Sequence, residues 1–461
     1  MNRFEKICFG LALAVAAPLW SQVDTSSTTP VAAYGTGSGT ENSDDRMLTP
    51  PPVSGQSYPQ APASQERSNY LRGGVTFTGA YSDNVTGSTV SSSGPVSDES
   101  YSVYPTLTLN ATTARLRWNL NYAPGFTFYQ HTSSLNQADQ NASIDFQYRL
   151  SPHLTVSARD GFQKSSSIFN QPSLGSSETI SGGIQEPNQS VIAPYASQLN
   201  NSGNVGITYQ FAVNGMIGAG GTFTNLHYLD PAAVPGLFDS TSQGASAFYM
   251  HRISKMHYIG VTYEYQRLLS YPTLGTNETQ TQAVLFLYTL YATPRFSISF
   301  FGGPQYADIG PQFSETVSIP TPASQSWNPQ AGGSLSWQGR LTSLAVSYSH
   351  MISSGGGLIG AVKMDSAKAA IQQQLSRTFS GSLTGGYTQN AGLSAAPSSN
   401  DGHTVSGTAS VQKQFGQHVN VQLGYTRLHQ DYSGVAVLAT SPNTNREFVS
   451  VSYQFSRPLG R

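Results

Sequence analysis

One instruction repeats along most of this chain: about ten residues of alternating apolar and polar side chains, a turn, then about ten more. Leu116, Trp118, Leu120 and Tyr122 alternate with Arg115, Arg117, Asn119 and Asn121; Ile144, Phe146, Tyr148 and Leu150 alternate with Ser143, Asp145, Gln147 and Arg149. Farther on, Ile259, Val261, Tyr263 and Tyr265 alternate with Gly260, Thr262, Glu264 and Gln266, and Val419, Val421, Leu423 and Tyr425 with Asn420, Gln422, Gly424 and Thr426. A period of two puts the two sets on opposite faces of an extended strand, so the elements predicted are β-strands.

The connections alternate too. Tight turns are expected near Thr112-Thr113, Ser151-Pro152, Val213-Asn214, Ser254-Lys255, Thr293-Pro294, Gln338-Gly339, residues 377–380 and Gly416-Gln417. Longer polar stretches separate them, the longest at residues 168–198. Roughly nine long and eight short connections join about 18 strands, 16 being the neighbouring count.

Composition decides what medium such a chain faces. Of 461 residues, 23 are Lys or Arg and 24 Asp or Glu, so 10% are charged against about 25% in an ordinary soluble domain. The missing charges are replaced by Ser, Thr, Asn, Gln, Gly and Tyr, and the mean hydropathy is -0.27. A barrel in lipid needs apolar residues outside, polar residues inside and closure of the sheet so that every backbone group is paired. The reading is an all-β fold, a transmembrane antiparallel up-and-down β-barrel. A soluble β-helix or sandwich array is the alternative.

The N-terminus reads as an export signal. Arg3 and Lys6 precede an uncharged apolar run over residues 7–20, too short to span a bilayer and suited to a signal peptide over 1–22. Residues 23–67 are dominated by Ser, Thr, Pro and Gly and are expected to form a short disordered periplasmic arm, with the barrel occupying 68–461. The lone cysteine, Cys8, falls inside the signal, so neither disulfide nor thiolate metal site is expected.

The last strand, Phe448-Val449-Ser450-Val451-Ser452-Tyr453-Gln454-Phe455, places Val449, Val451, Tyr453 and Phe455 on one face and resembles the C-terminal assembly signal of outer-membrane barrels. Over most of its length the chain resembles bacterial outer-membrane barrels of the porin type, including 16- to 18-stranded porins and exopolysaccharide-associated barrels. In that pattern the terminal residue is usually aromatic, whereas six residues follow Phe455 here. The resemblance implies an outer-membrane location, the barrel-assembly machinery and outer-membrane lipid as partners, and a trimer as an expected oligomeric state. Tyr122, Phe128, Tyr129, Tyr263, Tyr265, Tyr288, Tyr291, Tyr453 and Phe455 are candidates for interfacial girdles.

Catalytic chemistry has little support. The 9 histidines fall at expected strand ends and loops, without an H-x-x-x-H pair, and no G-x-S-x-G elbow occurs. No enzyme activity, cofactor or metal is expected. A formal net charge of -1 argues against nucleic acid as a partner.

The lumen carries the functional expectation. Alternation assigns Arg115, Arg117, Asp145, Arg149, Arg159, Glu264, Arg295 and Lys368 to the inner wall. Two readings stay open: a positive ring that favours anions, or cross-strand pairs that stabilise the wall. The rest of the inner face is expected to be Ser, Thr, Asn, Gln and Gly. By resemblance to porins, the third long connection, 168–198, folds inward as a constriction carrying Glu178 and Glu186. The functions expected are passage of small polar solutes, including anions, or export and attachment of a surface polysaccharide with periplasmic partners. Small residues at 215–221 and 367–370 are candidates for a flat subunit contact.

Overall fold

The computed structural model describes residues 69–85, 95–165, 197–231, 236–293, 295–313, 320–393, 401–432 and 443–458. The expected export signal and periplasmic arm lie outside them. Strands β1 (Tyr70–Ser82), β2 (Asp98–Thr112), β3 (Leu116–Tyr129), β4 (Gln137–Arg149), β5 (Leu154–Ser165) and β6 (Gln198–Ala212) make the first third of the wall. They continue into β7 (Gly215–Tyr228), β8 (Ser240–Arg252), β9 (His257–Ser270), β10 (Asn277–Thr293), β11 (Phe296–Ile309) and β12 (Ser324–Gln338). The last third is β13 (Thr342–Ser353), β14 (Val362–Gln374), β15 (Phe379–Gly392), β16 (Gly402–Phe415), β17 (Val419–Tyr432) and β18 (Asn443–Pro458).

Each strand pairs antiparallel with its sequence neighbours, and β1 pairs with β18 from Tyr70↔Pro458 to Ser82↔Arg446. The 18-stranded sheet is therefore a closed barrel. The tight turns lie at one end: Thr113 N donates to Leu116 O at 2.7 Å and Gly339 N to Thr342 O at 2.7 Å. Gly416 turns its hairpin with φ of +64°, a conformation that L side chains rarely adopt.

The two faces separate as alternation requires. Phe77, Phe128, Val205, Phe286, Phe300, Leu383 and Leu423 all point outward, and each is more than half exposed. Such a continuous apolar exterior meets hydrocarbon. On β12, Trp327 and Trp337 face outward ten positions apart. With strands tilted about 40°, ten residues rise about 25 Å, the height of an apolar band between two aromatic girdles. Of the girdle candidates, Tyr129 and Tyr291 fall instead on the inner row, where their parity places them.

Inside, facing strands exchange hydroxyl hydrogen bonds. Thr76 meets Ser452 at 2.9 Å and Thr78 meets Ser450 at 2.8 Å across the β1–β18 closure. Ser102–Thr127, Thr289–Ser299, Ser382–Ser410 and Thr408–Thr426 repeat the arrangement at 2.7–3.0 Å. The abundance of Ser and Thr thus has a local cause: in these six pairs each inward hydroxyl finds its partner directly opposite.

One sector departs from the expected polar lumen. Met216, Phe248, Met250, Ala283, Leu285, Leu287 and Phe301, inward residues of β7, β8, β10 and β11, form a buried apolar cluster. Strand β10 is the reason: Val284, Phe286 and Tyr288 face outward while Ala283, Leu285 and Leu287 face inward, so that stretch is apolar on both faces and alternation is silent there.

Candidate functional site: the lumen and its inward loop

The connection between β13 and β14 turns into the barrel. Its sequence is Ser354-Gly355-Gly356-Gly357-Leu358-Ile359-Gly360-Ala361, and Leu358 is completely buried against Tyr228, Leu237, Val362 and Tyr432. Gly355, Gly356, Gly357 and Gly360 all have positive φ, from +64° to +103°. At Gly357 space requires glycine as well: a Cβ there would stand 2.6 Å from Tyr228 Oη and 3.0 Å from its ring.

Hydrogen bonds fix the loop to distant parts of the wall. Tyr228 Oη donates to Gly356 O at 3.2 Å, Phe238 N to Gly357 O at 2.8 Å, and Gly360 N to Ser270 Oγ at 3.0 Å. Tyr228 ends β7, six strands from β13 around the sheet, so the loop reaches across the long-loop mouth of the barrel. The expected constriction, 168–198 with Glu178 and Glu186, lies outside the described residues apart from its last two positions. The segment seen inside is the seventh long connection. Its signal was a glycine run enclosing Leu358-Ile359, an aliphatic pair that an ordinary surface loop has no use for.

The predicted lumen residues divide into two groups. Arg117, Asp145, Arg149, Arg159, Glu264 and Lys368 have inward parity. Arg115 and Arg295 do not belong to the wall: both are exposed turn residues, Arg115 O accepting from Arg149 N at 2.8 Å and Arg295 O from Gln338 N at 2.7 Å. Each lies one residue before its strand, inside the turn, where a period of two does not apply.

Asp145 and Arg159 oppose each other in register, and Arg159 Nε lies 3.2 Å from Asp145 Oδ1. The cross-strand reading describes this pair. Glu264 accepts from Gln330 Nε2 at 3.4 Å, Lys368 is exposed on β14, and Arg149 ends β4 at the short-turn rim. Five inward ionic residues stand outside the expected set: the exposed Arg72 on β1, and Asp98, Asp139, Arg252 and Arg446, each less than a tenth exposed. Arg252 Nη2 donates to Asn214 Oδ1 at 3.0 Å. Asp98 accepts from Thr132 N at 2.8 Å, Thr132 Oγ1 at 2.6 Å and His131 Nδ1 at 2.9 Å, and so ties down the β3–β4 connection. With these included, the described inward residues number seven bases and four acids, so an excess of bases remains on the inner wall beside the Asp145–Arg159 pair.

The histidines sit at the two rims. His257 meets Tyr288 Oη at 2.8 Å and His418 meets Gln454 O at 2.8 Å near the short turns, while His350 meets Asp365 at 2.9 Å and His429 meets Asn443 at 3.0 Å near the long loops. Among the described residues no three His, Cys, Asp or Glu side chains are grouped to hold a metal ion.

No family model matches the sequence, and no curated protein does. Solved structures similar to this chain include Pseudomonas aeruginosa OpdQ, 10% identical, covering 84% of this chain and 98% of that one with a TM-score of 0.42. P. aeruginosa OccK2 in complex with glucuronate is 9% identical over 84% of this chain and 98% of that one, with a TM-score of 0.43. The FrpB iron transporter from Neisseria meningitidis is 10% identical over 85% and 82%, with a TM-score of 0.40. The barrel is defined by its own strand pairing, closed over 18 strands.

Proposed function

We propose that this chain is an outer-membrane channel that passes small polar solutes, with the β13–β14 loop as its constriction. The observation that carries this reading is the inversion of the wall, apolar outside and lined by paired hydroxyls inside, with one loop held across the mouth by Tyr228. An 18-stranded barrel is too wide for wall side chains alone to fill, so the inward segment sets the aperture. The excess of bases among the inward residues favours anions.

Single-channel conductance of the mature protein in a planar bilayer tests the reading, beside a variant in which residues 355–360 are replaced by a two-residue turn. Stable conductance steps that grow on loop removal support it. A bilayer that stays silent with both proteins refutes it.

A further inference from the structure

The outer face of β14–β17 interrupts the apolar band. One rung of it runs Val346, Ala369, Gly385, Gly407 and Arg427, each directly opposite the next. Ala367 and Ala409 border it on the two neighbouring rungs. These small residues leave a shallow trough among Leu383, Tyr387, Val405 and Tyr425, which stand up from the same face and are between 40% and 55% exposed.

The barrel itself does not call for the two glycines. A Cβ on Gly385 would meet Ser406 O at 3.8 Å and one on Gly407 would meet Thr384 O at 3.9 Å, both ordinary contacts, and neither residue has a positive φ. Gly73 and Gly424 differ, since phenylalanine rings of this same chain fill their Cβ space. Glycine weakens a strand interior, and where neither packing nor φ demands it, it suits a surface that another molecule approaches closely.

The rung ends on Arg427, which faces outward, is exposed and makes no ion pair among the described residues. Across the β17–β18 ladder it meets Asn445, while the outward Glu447 opposes Tyr425. Arg427 stands five residues from the long-loop end of β17 and Trp327 three from that end of β12, so the guanidinium lies at the depth of the outer aromatic girdle. At that depth a phosphate in the plane of the head groups satisfies it, through paired N–H donors.

Toward the long loops the same face turns polar and concave. A cavity of about 320 Å³ lies there, lined by Tyr387, Gln389, Asp401, Gly402, His403 and Asp431. Tyr387, Gln389, Asp401 and Asp431 are all exposed, so it is open to the outside. Gln389, His403 and Asp431 share one rung, and the His403 ring lies between Tyr387 at 6.2 Å and His429 at 5.5 Å between centroids. Aromatic rings beside carboxylates and an amide fit a sugar: the rings take its C–H face and the acceptors its hydroxyls. From Arg427 to Asp431 is about 13 Å along β17, room for a phosphate followed by a sugar ring.

We propose that the outer face of β14–β17 seats a phosphorylated glycolipid of the outer leaflet. An acyl chain lies in the Ala369–Gly385–Gly407 trough, a phosphate on Arg427 and a sugar in the cavity beyond it. Apolar, cationic and hydroxyl-binding surfaces follow one another from the bilayer toward the outside, the order in which such a lipid presents its parts. A second copy of this chain leaves the cavity empty and has to bring a carboxylate to Arg427. A plain phospholipid has nothing to place against Tyr387 and His403. The seat is independent of whether the barrel conducts.

Native mass spectrometry of the mature protein, released from detergent micelles with added lipid, tests the seat. The probes are an acylated glucosamine disaccharide bisphosphate, the same lipid after phosphatase treatment, and phosphatidylglycerol, at equal concentration. The bisphosphate is expected to be retained, with about tenfold weaker retention of the dephosphorylated lipid, as loss of a charge-assisted hydrogen bond implies. Arg427→Gln brings the bisphosphate down to that level and leaves the dephosphorylated lipid where it was. Tyr387→Ala with His403→Ala removes the preference over phosphatidylglycerol. Gly385→Leu with Gly407→Leu fills the trough and lowers retention of both glycolipids, and Ala369→Leu, which fills it from β14, does the same if the double variant does not refold. Equal retention of the bisphosphate and phosphatidylglycerol, or a bisphosphate adduct untouched by Arg427→Gln, overturns the proposal. Lipid-free oligomers that Gly407→Leu turns into monomers overturn it too, and assign the face to a second copy.

Discussion

The phenol of Tyr228 donates to the backbone carbonyl of Gly356 at 3.2 Å, joining the end of β7 to a loop that leaves the wall six strands away. Both groups are buried, so Tyr228→Phe leaves a carbonyl without its donor and costs about 1 kcal/mol locally. The expected outcome is roughly fivefold faster amide exchange at residues 355–360. The strands should keep their protection. Exchange mass spectrometry of the reconstituted protein checks it.

Gly357→Ala is a harsher change at the same contact. Its φ is +103° and the added methyl meets Tyr228 Oη, so the substitution costs about 1–3 kcal/mol and pushes the loop off its seat. Larger conductance steps than wild type are expected in a planar bilayer. Unchanged steps would show that the loop does not set the aperture.

The Asp145–Arg159 pair controls selectivity more than stability. Their side chains are 21% and 39% exposed, so a double-mutant cycle with Asn and Gln should return a coupling below about 1 kcal/mol. Asp145→Asn moves the reversal potential under a salt gradient toward anions and Arg159→Gln moves it toward cations. Shifts of the same sign in both variants would place the pair off the conduction path.

Leu383 and Thr384 are neighbours on β15 that face opposite media. Leu383 is 55% exposed to the outside and Thr384 is exposed to the interior. Leu383→Arg is expected to cost about 2–4 kcal/mol, while Thr384→Arg stays within about 1 kcal/mol of wild type. Urea titration in lipid vesicles distinguishes them, and equal costs would contradict the assignment of faces.

Gly73 provides the surface on which Phe455 lies, the ring occupying the space a Cβ would need. Gly73→Val displaces that ring from the strand that closes the barrel. Slower folding into vesicles is expected, with Phe455→Ala largely abolishing the difference between Gly and Val at this site. Gel-mobility kinetics of refolding provide the measurement.

Much of the architecture is legible in the amino-acid sequence. Alternation at Leu116 to Tyr122, Ile259 to Tyr265 and Val419 to Tyr425 identifies the outward and inward faces that the strand register then displays. The same rule failed at Arg115 and Arg295, since a period of two has no meaning once the chain turns, and at Leu285 and Leu287, where both faces are apolar. Among the lumenal charges it reached Asp145 and Arg159 but missed Arg252 and Arg446, which lie near strand ends in weakly alternating sequence.

Period-two polarity and scarce charge suffice for a closed sheet with an inside and an outside, because they leave lipid as the solvent for the apolar face. Which loop enters the barrel, and where the β12–β13 ladder stops, are settled only by contacts between distant strands. Face is a property of one strand and can be read locally. Which loop the mouth accepts depends on Tyr228, Ser270 and Gly356 meeting from three strand ends, and such non-local contacts leave no period in the chain.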